Sequence, residues 1–328
     1  MKTSFYFPPE YVPAFNDPLA WLEPEIVPHH HSGHCGTAEN WIYQSWARLK
    51  QAGIISTLSL KIPTQGIVFA LGSSLGKHIQ IPPGMCLVDI VADATPHPAA
   101  HAYIVQNRIQ QKYIPHSFFI PHWPQPKMIP RSPDRGRRFE NIAFFGDACN
   151  LAPELQQPEW QDHLRRSLGL SFTIKSPVAW HDYSQVDCVV AIRSFSPSRH
   201  LSKPATKLYN AWLAGVPFIG GDDIAYSDEG NPEKNYLVAT SPEVLLAHLR
   251  RLKEDLSFRD ELVANGHHQG AFYTQQKTGE RWNLLVKETI AKFAHTHVRK
   301  TPRQLFFMLQ KHRFFSWAYQ QRECWGLF

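Results

Sequence analysis

The chain has 328 residues, 43% hydrophobic and 19% charged, with a formal net charge of +6. It is too apolar and too weakly charged for a disordered polymer and too long for one hydrophobic core, so two compact α/β domains are expected. The positive balance selects anionic partners, among them phosphate groups, nucleic acid and acidic lipid.

The first residues, Met1 to Phe15, carry Pro8, Pro9 and Pro13 and lack a basic segment followed by an apolar one, so they do not read as a signal peptide. A short apolar run, Glu25 to Pro28, leads into His29-His30-His31-Ser32-Gly33-His34 and a small-residue turn, Cys35-Gly36-Thr37. Apolar residues Trp41, Ile42, Trp46 and Leu49 then follow at helical spacing up to Gly53, which predicts a helix from Thr37 to Gln51 with Gly53 as its stop. Its first amides, at Gly36 and Thr37, would point at whatever sits in a cleft.

Strands are predicted over Ile54 to Leu60, Gly66 to Leu71 and Cys86 to Val91, and a helix over His101 to Gln111. The run Met85 to Ala94 is broken by Asp89 and Asp93 and falls short of the roughly twenty apolar residues of a membrane span. Prolines at 121, 124, 126, 130 and 133 stiffen the next stretch, and the interdomain connection is placed there. A second α/β pattern begins after it: strand Ile142 to Phe145, Gly146, a helix from Trp160 to Leu168, and strands Ser171 to Ile174 and Cys188 to Ile192. A helix Thr206 to Ala214, a turn at Gly215 and a strand Val216 to Ile219 lead to Gly220-Gly221. Helices over Pro242 to Leu252, Phe258 to Gly266 and Gly279 to Phe293 complete the pattern. The expected organisation is a first domain over 1–130, a second over 138–280, and terminal helices with a basic aromatic tail over 281–328.

The stretch Lys203-Pro204-Ala205-Thr206-Lys207-Leu208-Tyr209-Asn210-Ala211-Trp212-Leu213-Ala214-Gly215-Val216-Pro217-Phe218-Ile219-Gly220-Gly221 carries the chemistry. It resembles the donor-site motif of GT-B glycosyltransferases, in which a Ser, Thr or Lys-rich loop opens a helix that ends in Ala-x-Gly-x-Pro before a buried strand. The resemblance implies two Rossmann-like domains facing a cleft, the second binding a nucleotide sugar and the first an acceptor. It also implies hexosyl-type transfer without a cofactor or a required metal. The physics agrees: a helix N-terminus exposes amide donors and partial positive charge, and Thr206 and Lys207 add a hydroxyl and a cation suited to a diphosphate. Retaining members of the group carry a glutamate near the start of this helix that bonds the nucleotide ribose. Asn210 stands at the matching position, which leaves the stereochemical course open.

Arg193 follows a predicted strand, and Lys203 precedes the helix; both are assigned to the donor phosphates. For Arg193 the alternative is a pair with a surface carboxylate. Gly146 and Asp147, after the first strand of the second domain, occupy the place where such enzymes let a sugar phosphate approach the backbone. His31 and His34 are the candidate catalytic bases or acceptor contacts, since imidazole exchanges protons near neutral pH. Adjacent loop histidines do not all point inward, so a metal site is not expected there. The five cysteines, Cys35, Cys86, Cys149, Cys188 and Cys324, are odd in number and widely spaced, as reduced thiols of a cytoplasmic protein would be.

The tail from Val298 mixes Arg299, Lys300, Lys311, Arg313 and Arg322 with Phe306, Phe307, Phe314, Phe315 and Trp317. Two readings apply: it packs back on the first domain, or it touches an acidic membrane surface. Nucleic acid is not an expected partner, because the basic residues are dispersed. Rival functions are a sugar-nucleotide epimerase or hydrolase of the same fold and a non-catalytic carbohydrate-binding relative. A nicotinamide oxidoreductase is disfavoured because no Gly-x-Gly-x-x-Gly turn follows a strand.

Overall fold

A computed structural model describes residues 2–9, 36–76, 78–196, 200–291 and 294. Its contacts fall into two compact units, one made of Met1–Trp123, Leu201–Pro204 and Gln275–Phe328, the other of Pro124–His200 and Ala205–Thr274.

The first unit is built on a parallel sheet of six strands, in the order β2-β1-β3-β4-β5-β6. Strand β1 (Thr3–Tyr6) lies between β2 (Thr57–Ser59) and β3 (Gly66–Leu71), and Phe5 is stacked on Phe69 with ring centroids 4.9 Å apart. Between β1 and β2 the helix predicted over Thr37 to Gln51 is found as α1 (Gly36–Ala38), a π-helical turn Glu39–Tyr43 and α2 (Gln44–Gln51). Trp41, Ile42, Trp46 and Leu49 are buried on one face, and Gly53 at φ 76° takes the left-handed turn after the helix. Strands β3 and β4 (Met85–Ile90) pair residue for residue from Gly66↔Met85 to Leu71↔Ile90 and are buried throughout. A parallel strand covered on both faces reads as a continuous apolar run, which is why both were visible in the sequence.

Asp89, which interrupts the second of these runs, is fully buried and accepts hydrogen bonds from the backbone amides of Gly72 and His97, each at 2.7 Å. A Cβ on Gly72 would stand 2.6 Å from the Asp89 carboxylate, so this turn requires glycine.

The helix expected over His101 to Gln111 is not formed. The segment makes strand β5 (Ala102–Val105), paired to β4 and to β6 (Ser117–Phe119), and then a 3-10 turn Arg108–Lys112. Its apolar core Ala-Tyr-Ile-Val is as short as a strand, and Asn107 begins the 3-10 turn with a capping box to Gln110.

The second unit is a parallel sheet of five strands in the order β11-β10-β9-β7-β8. Strand β7 (Asn141–Phe145) is followed by α3 (Pro153–Gln156) and α4 (Pro158–Leu168), then β8 (Ser171–Lys175) and β9 (Cys188–Ala191). Helix α5 (Thr206–Ala214) ends at Gly215, in the left-handed region at φ 71°, and β10 (Phe218–Gly220) follows. The unit continues with α6 (Ile224–Glu229), β11 (Leu237–Val238), α7 (Pro242–Glu254) and α8 (Leu256–Gly270). Proline opens α4 and α7, and Ser241 and Asp255 cap α7 and α8 through their side chains.

The chain leaves the first unit at Trp123 and enters the second at Pro124. The proline-rich stretch beyond is laced to the second unit: the Ile129 amide donates to the His181 carbonyl and the Arg131 amide to the Ala214 carbonyl. Helix α9 (Gln275–Leu284) joins the first unit, where Trp282, Leu285, Val286 and Ile290 enter the core around Phe5 and Phe69. Among the described residues no helix is long and apolar enough to cross a membrane.

Candidate functional site

In the second unit β8 and β9 lie on opposite sides of β7, so the strand order reverses there and the connections leaving β7 and β9 diverge. That divergence opens a crevice beyond the carboxyl ends of the two strands, the general ligand position in open parallel sheets. Four pieces of chain supply its residues: Gly146 to Asn150 after β7, Arg193 after β9, the first turn of α5, and the link from β10 to α6.

At Gly146 side chains come up against the backbone. A Cβ there would lie 3.0 Å from Lys207 Cε and 3.0 Å from Phe144 Cζ. The Lys207 stem therefore crosses Gly146, and its ammonium stands 5.3 Å from the centre of the Phe144 ring. Lys207 occupies the second position of α5, whose N-cap Ala205 makes no side-chain cap. The Thr206 Oγ1 beside it is shielded from solvent and has no hydrogen-bond partner among the described residues. This first turn thus combines backbone amides, a hydroxyl and a cation, an arrangement that favours an anion.

Arg193 donates from Nε to Asp223 Oδ2 at 3.0 Å and from Nη1 to Asn150 Oδ1 at 3.3 Å. Its side chain is 8% exposed and that of Asp223 3%. Burial pushes the Asp223 carboxyl up to about 6, against the pull of the neighbouring Arg193 and Lys207 charges. Gly146, Lys207, Asp223, Arg193 and Asn150 thus form one connected polar group in which the cations belong to different elements.

The sequence-derived residues distribute as follows. Gly146, Arg193, Thr206 and Lys207 come together in this crevice. Asp147 is exposed beside Gly146, and its carbonyl accepts from the Asn150 amide at 2.9 Å. Lys203 lies in the segment that belongs to the first unit, with Nζ 3.0 Å from Asp93. Asn210 is buried, and its Oδ1 accepts from the Gln125 amide at 3.0 Å while its side chain also hydrogen-bonds Tyr183. Its carboxamide is thereby engaged with the protein's own core. Gly36 opens α1 and Thr37 is exposed. His31, His34 and the rest of the histidine run lie outside the described residues, as do Cys35, Cys324 and the tail beyond 294. Cys86 and Cys188 are buried free thiols, and Cys149 is an exposed one. Among the described residues no group of three or more His, Cys, Asp or Glu could hold a metal ion.

Two residues of the polar group escaped the sequence reading, Asp223 and Asn150. The signal for Asp223 was the pair Asp222-Asp223 directly after the Gly220-Gly221 strand end, a position at the same carboxyl edge as Arg193.

No protein-family model and no curated protein matches the chain. Solved structures do. AviGT4, a glycosyltransferase involved in avilamycin A biosynthesis, superposes with a TM-score of 0.53 at 15% identity, over 89% of this chain and 98% of that one. The pneumococcal O-GlcNAc transferase GtfA in complex with UDP and GlcNAc gives 0.51 at 13% identity, over 76% and 60%. Anabaena HepE in complex with UDP gives 0.50 at 13% identity, over 89% and 100%. These likenesses establish the fold: two parallel α/β units with the architecture of GT-B glycosyltransferases.

Proposed function

We propose that the protein is a glycosyltransferase whose second unit binds a nucleoside diphosphate sugar. The observation that supports this is Lys207, in the uncapped first turn of α5, lying against Gly146 while Lys207 and Arg193 both act on the buried Asp223. Transfer leaves a nucleoside diphosphate, and negative charge grows on its outer phosphate as the glycosidic bond breaks. Preorganised cations and amides stabilise that charge at no reorganisation cost. In this proposal Lys207, Arg193 and the α5 amides carry that role, with the Thr206 hydroxyl as a further donor, so charge neutralisation does not call for a resident metal. The glycosyltransferase neighbours that hold UDP or UDP with GlcNAc support a uridine nucleotide and a hexose-type sugar as the first choices to test. The proposal keeps the first unit as the acceptor side and the cytoplasm as the compartment.

The test is a thermal-shift and calorimetry panel of UDP, UDP-glucose, UDP-GlcNAc and the matching GDP and ADP compounds. A ligand at 100 times its dissociation constant stabilises the native state by about 2.7 kcal/mol, which gives a clear rise in melting temperature. Absence of binding by every member of the panel at millimolar concentration refutes the donor site. Binding without sugar release or transfer to any glycan, lipid or small-molecule acceptor refutes the transferase.

A further inference from the structure

Arg193 is a cation at the carboxyl end of β9, and a carboxylate of the same unit holds it. Asp223 Oδ2 accepts its Nε at 3.0 Å, and both side chains are almost wholly shielded. We propose that Asp223 holds the place of the donor phosphate before the donor binds and that it takes up a proton from solvent when the nucleoside diphosphate arrives. This rests on the donor reading of the site given above.

The argument is electrostatic. Each element packed around Asp223 brings a charged or titratable group: Arg193 after β9, Lys207 on α5, Asp222 beside it, and Tyr226 on α6, with Tyr236 coupled to Tyr226. Asn150, from the turn after β7, is neutral and shares Arg193. Arg193 and Lys207 favour the ionised carboxylate against its own burial. A diphosphate on the same two cations diverts their field and adds negative charge nearby. A carboxylate that is buried and already pushed up to about 6 has little margin before it protonates at neutral pH. Protonation frees Arg193 to turn its N–H groups to a phosphate oxygen, and the neutral Asp223 OH keeps a donor for the same anion. The proton comes from water, and no covalent bond changes.

UDP-glucose is the probe, because its diphosphate is a diester and does not itself titrate near neutrality. Calorimetry of the intact chain in buffers of different ionisation enthalpy counts the protons exchanged. For one unit of upward displacement from about 6, the expected result is uptake of about half a proton per UDP-glucose between pH 6 and 7 and an affinity roughly fivefold higher near pH 6 than near pH 8. Asp223→Asn keeps the shape and removes the titration, so its affinity should be flat across this range and no weaker than wild type at the alkaline end. Equal proton uptake in wild type and Asp223→Asn, or no uptake in either, overturns the inference while leaving the donor site intact. An Asp223→Asn variant weakened equally at every pH makes the aspartate a fixed prop for Arg193 and also overturns it. Absence of UDP-glucose binding in both proteins overturns the donor reading and this inference together.

Discussion

Lys207 and Arg193 are both cations at the ends of regular elements, but burial separates their energetics. Lys207 is half-buried, with its stem over Gly146 and Phe144. Lys207→Ala should weaken nucleotide-sugar binding by roughly ten- to a hundredfold, the weight of a charge-assisted hydrogen bond of about 1.5–3 kcal/mol. Its unfolding free energy should shift by about 1 kcal/mol, since the packing on Phe144 and part of the field on Asp223 are lost. Paired donor titration and urea unfolding check this, and unchanged affinity removes Lys207 from the site. The sequence alone predicts the same separation for Arg193, and the structure revises it. Arg193→Ala strands the buried Asp223 carboxylate, so it should lose stability as well as affinity, by about 3–5 kcal/mol when the partner stays charged. The carboxyl is pushed up in the fold, so its ionised form is the costly one, and the loss should grow as pH rises through about 6. Adding Asp223→Asn should restore most of it in a double-mutant cycle, and urea midpoints equal to wild type in Arg193→Ala would refute the ion pair's weight. Arg193 and Lys207 were legible because a strand end and a helix start are local patterns. Asp223 was not, since two aspartates after two glycines read as an ordinary loop until the fold sets them against β9.

Helix α5 was legible to the residue, and the reason is that both its limits are chemical. The Ala-Thr-Lys start and the Gly-Val-Pro exit are set by the chain itself, with Gly215 at φ 71° in a conformation that favours glycine. A Cβ at Gly215 finds nothing closer than His267 Nε2 at 3.9 Å, so the cost of a side chain there is backbone strain and not crowding. Gly215→Ala should therefore destabilise by about 1 kcal/mol or slightly more, with native-like nucleotide binding at low temperature. A loss well beyond that range in urea unfolding would mean that the turn does more than end a helix. Elements whose limits are tertiary were misread, as at Ala102–Val105, or passed over, as at Thr3–Tyr6. Ala102–Val105 is a strand because β4 and β6 flank it, and Thr3–Tyr6 is an inner strand because β2 and β3 close on both its sides. Nothing in four residues of sequence distinguishes such runs from a buried helical turn.

At the scale of the whole molecule each unit has its own core, and the chain visits the first unit three times. Trp282 is fully buried there, its ring 6.2 Å from Phe5 and 5.8 Å from Phe69. Trp282→Ala should destabilise the first unit by about 3–5 kcal/mol, since removing a large buried aromatic leaves a cavity. UDP-glucose affinity should stay within about twofold of wild type, because the proposed donor site lies in the other unit and distant sites act independently. Parallel loss of affinity and stability would show the two units to be one cooperative body. The net charge of +6 was read as a preference for anions, and Arg193, Lys207 and the first turn of α5 are where the proposed donor site would use it.

The sequence by itself determined what depends on neighbours along the chain. The 2.0 and 3.6 periodicities, the glycine and proline stops and the Thr206 to Gly221 motif specify two α/β units and a helix whose first turn carries a hydroxyl and a cation. Tertiary structure decided what depends on groups far apart in the chain. It placed Lys203 with Asp93 in the first unit, engaged Asn210 with Gln125 and Tyr183, and set Asp223 on Arg193 thirty residues away in sequence. A polar side chain's role is fixed by which partner reaches it once water is excluded, and that partner is selected by the packing of sheets and helices.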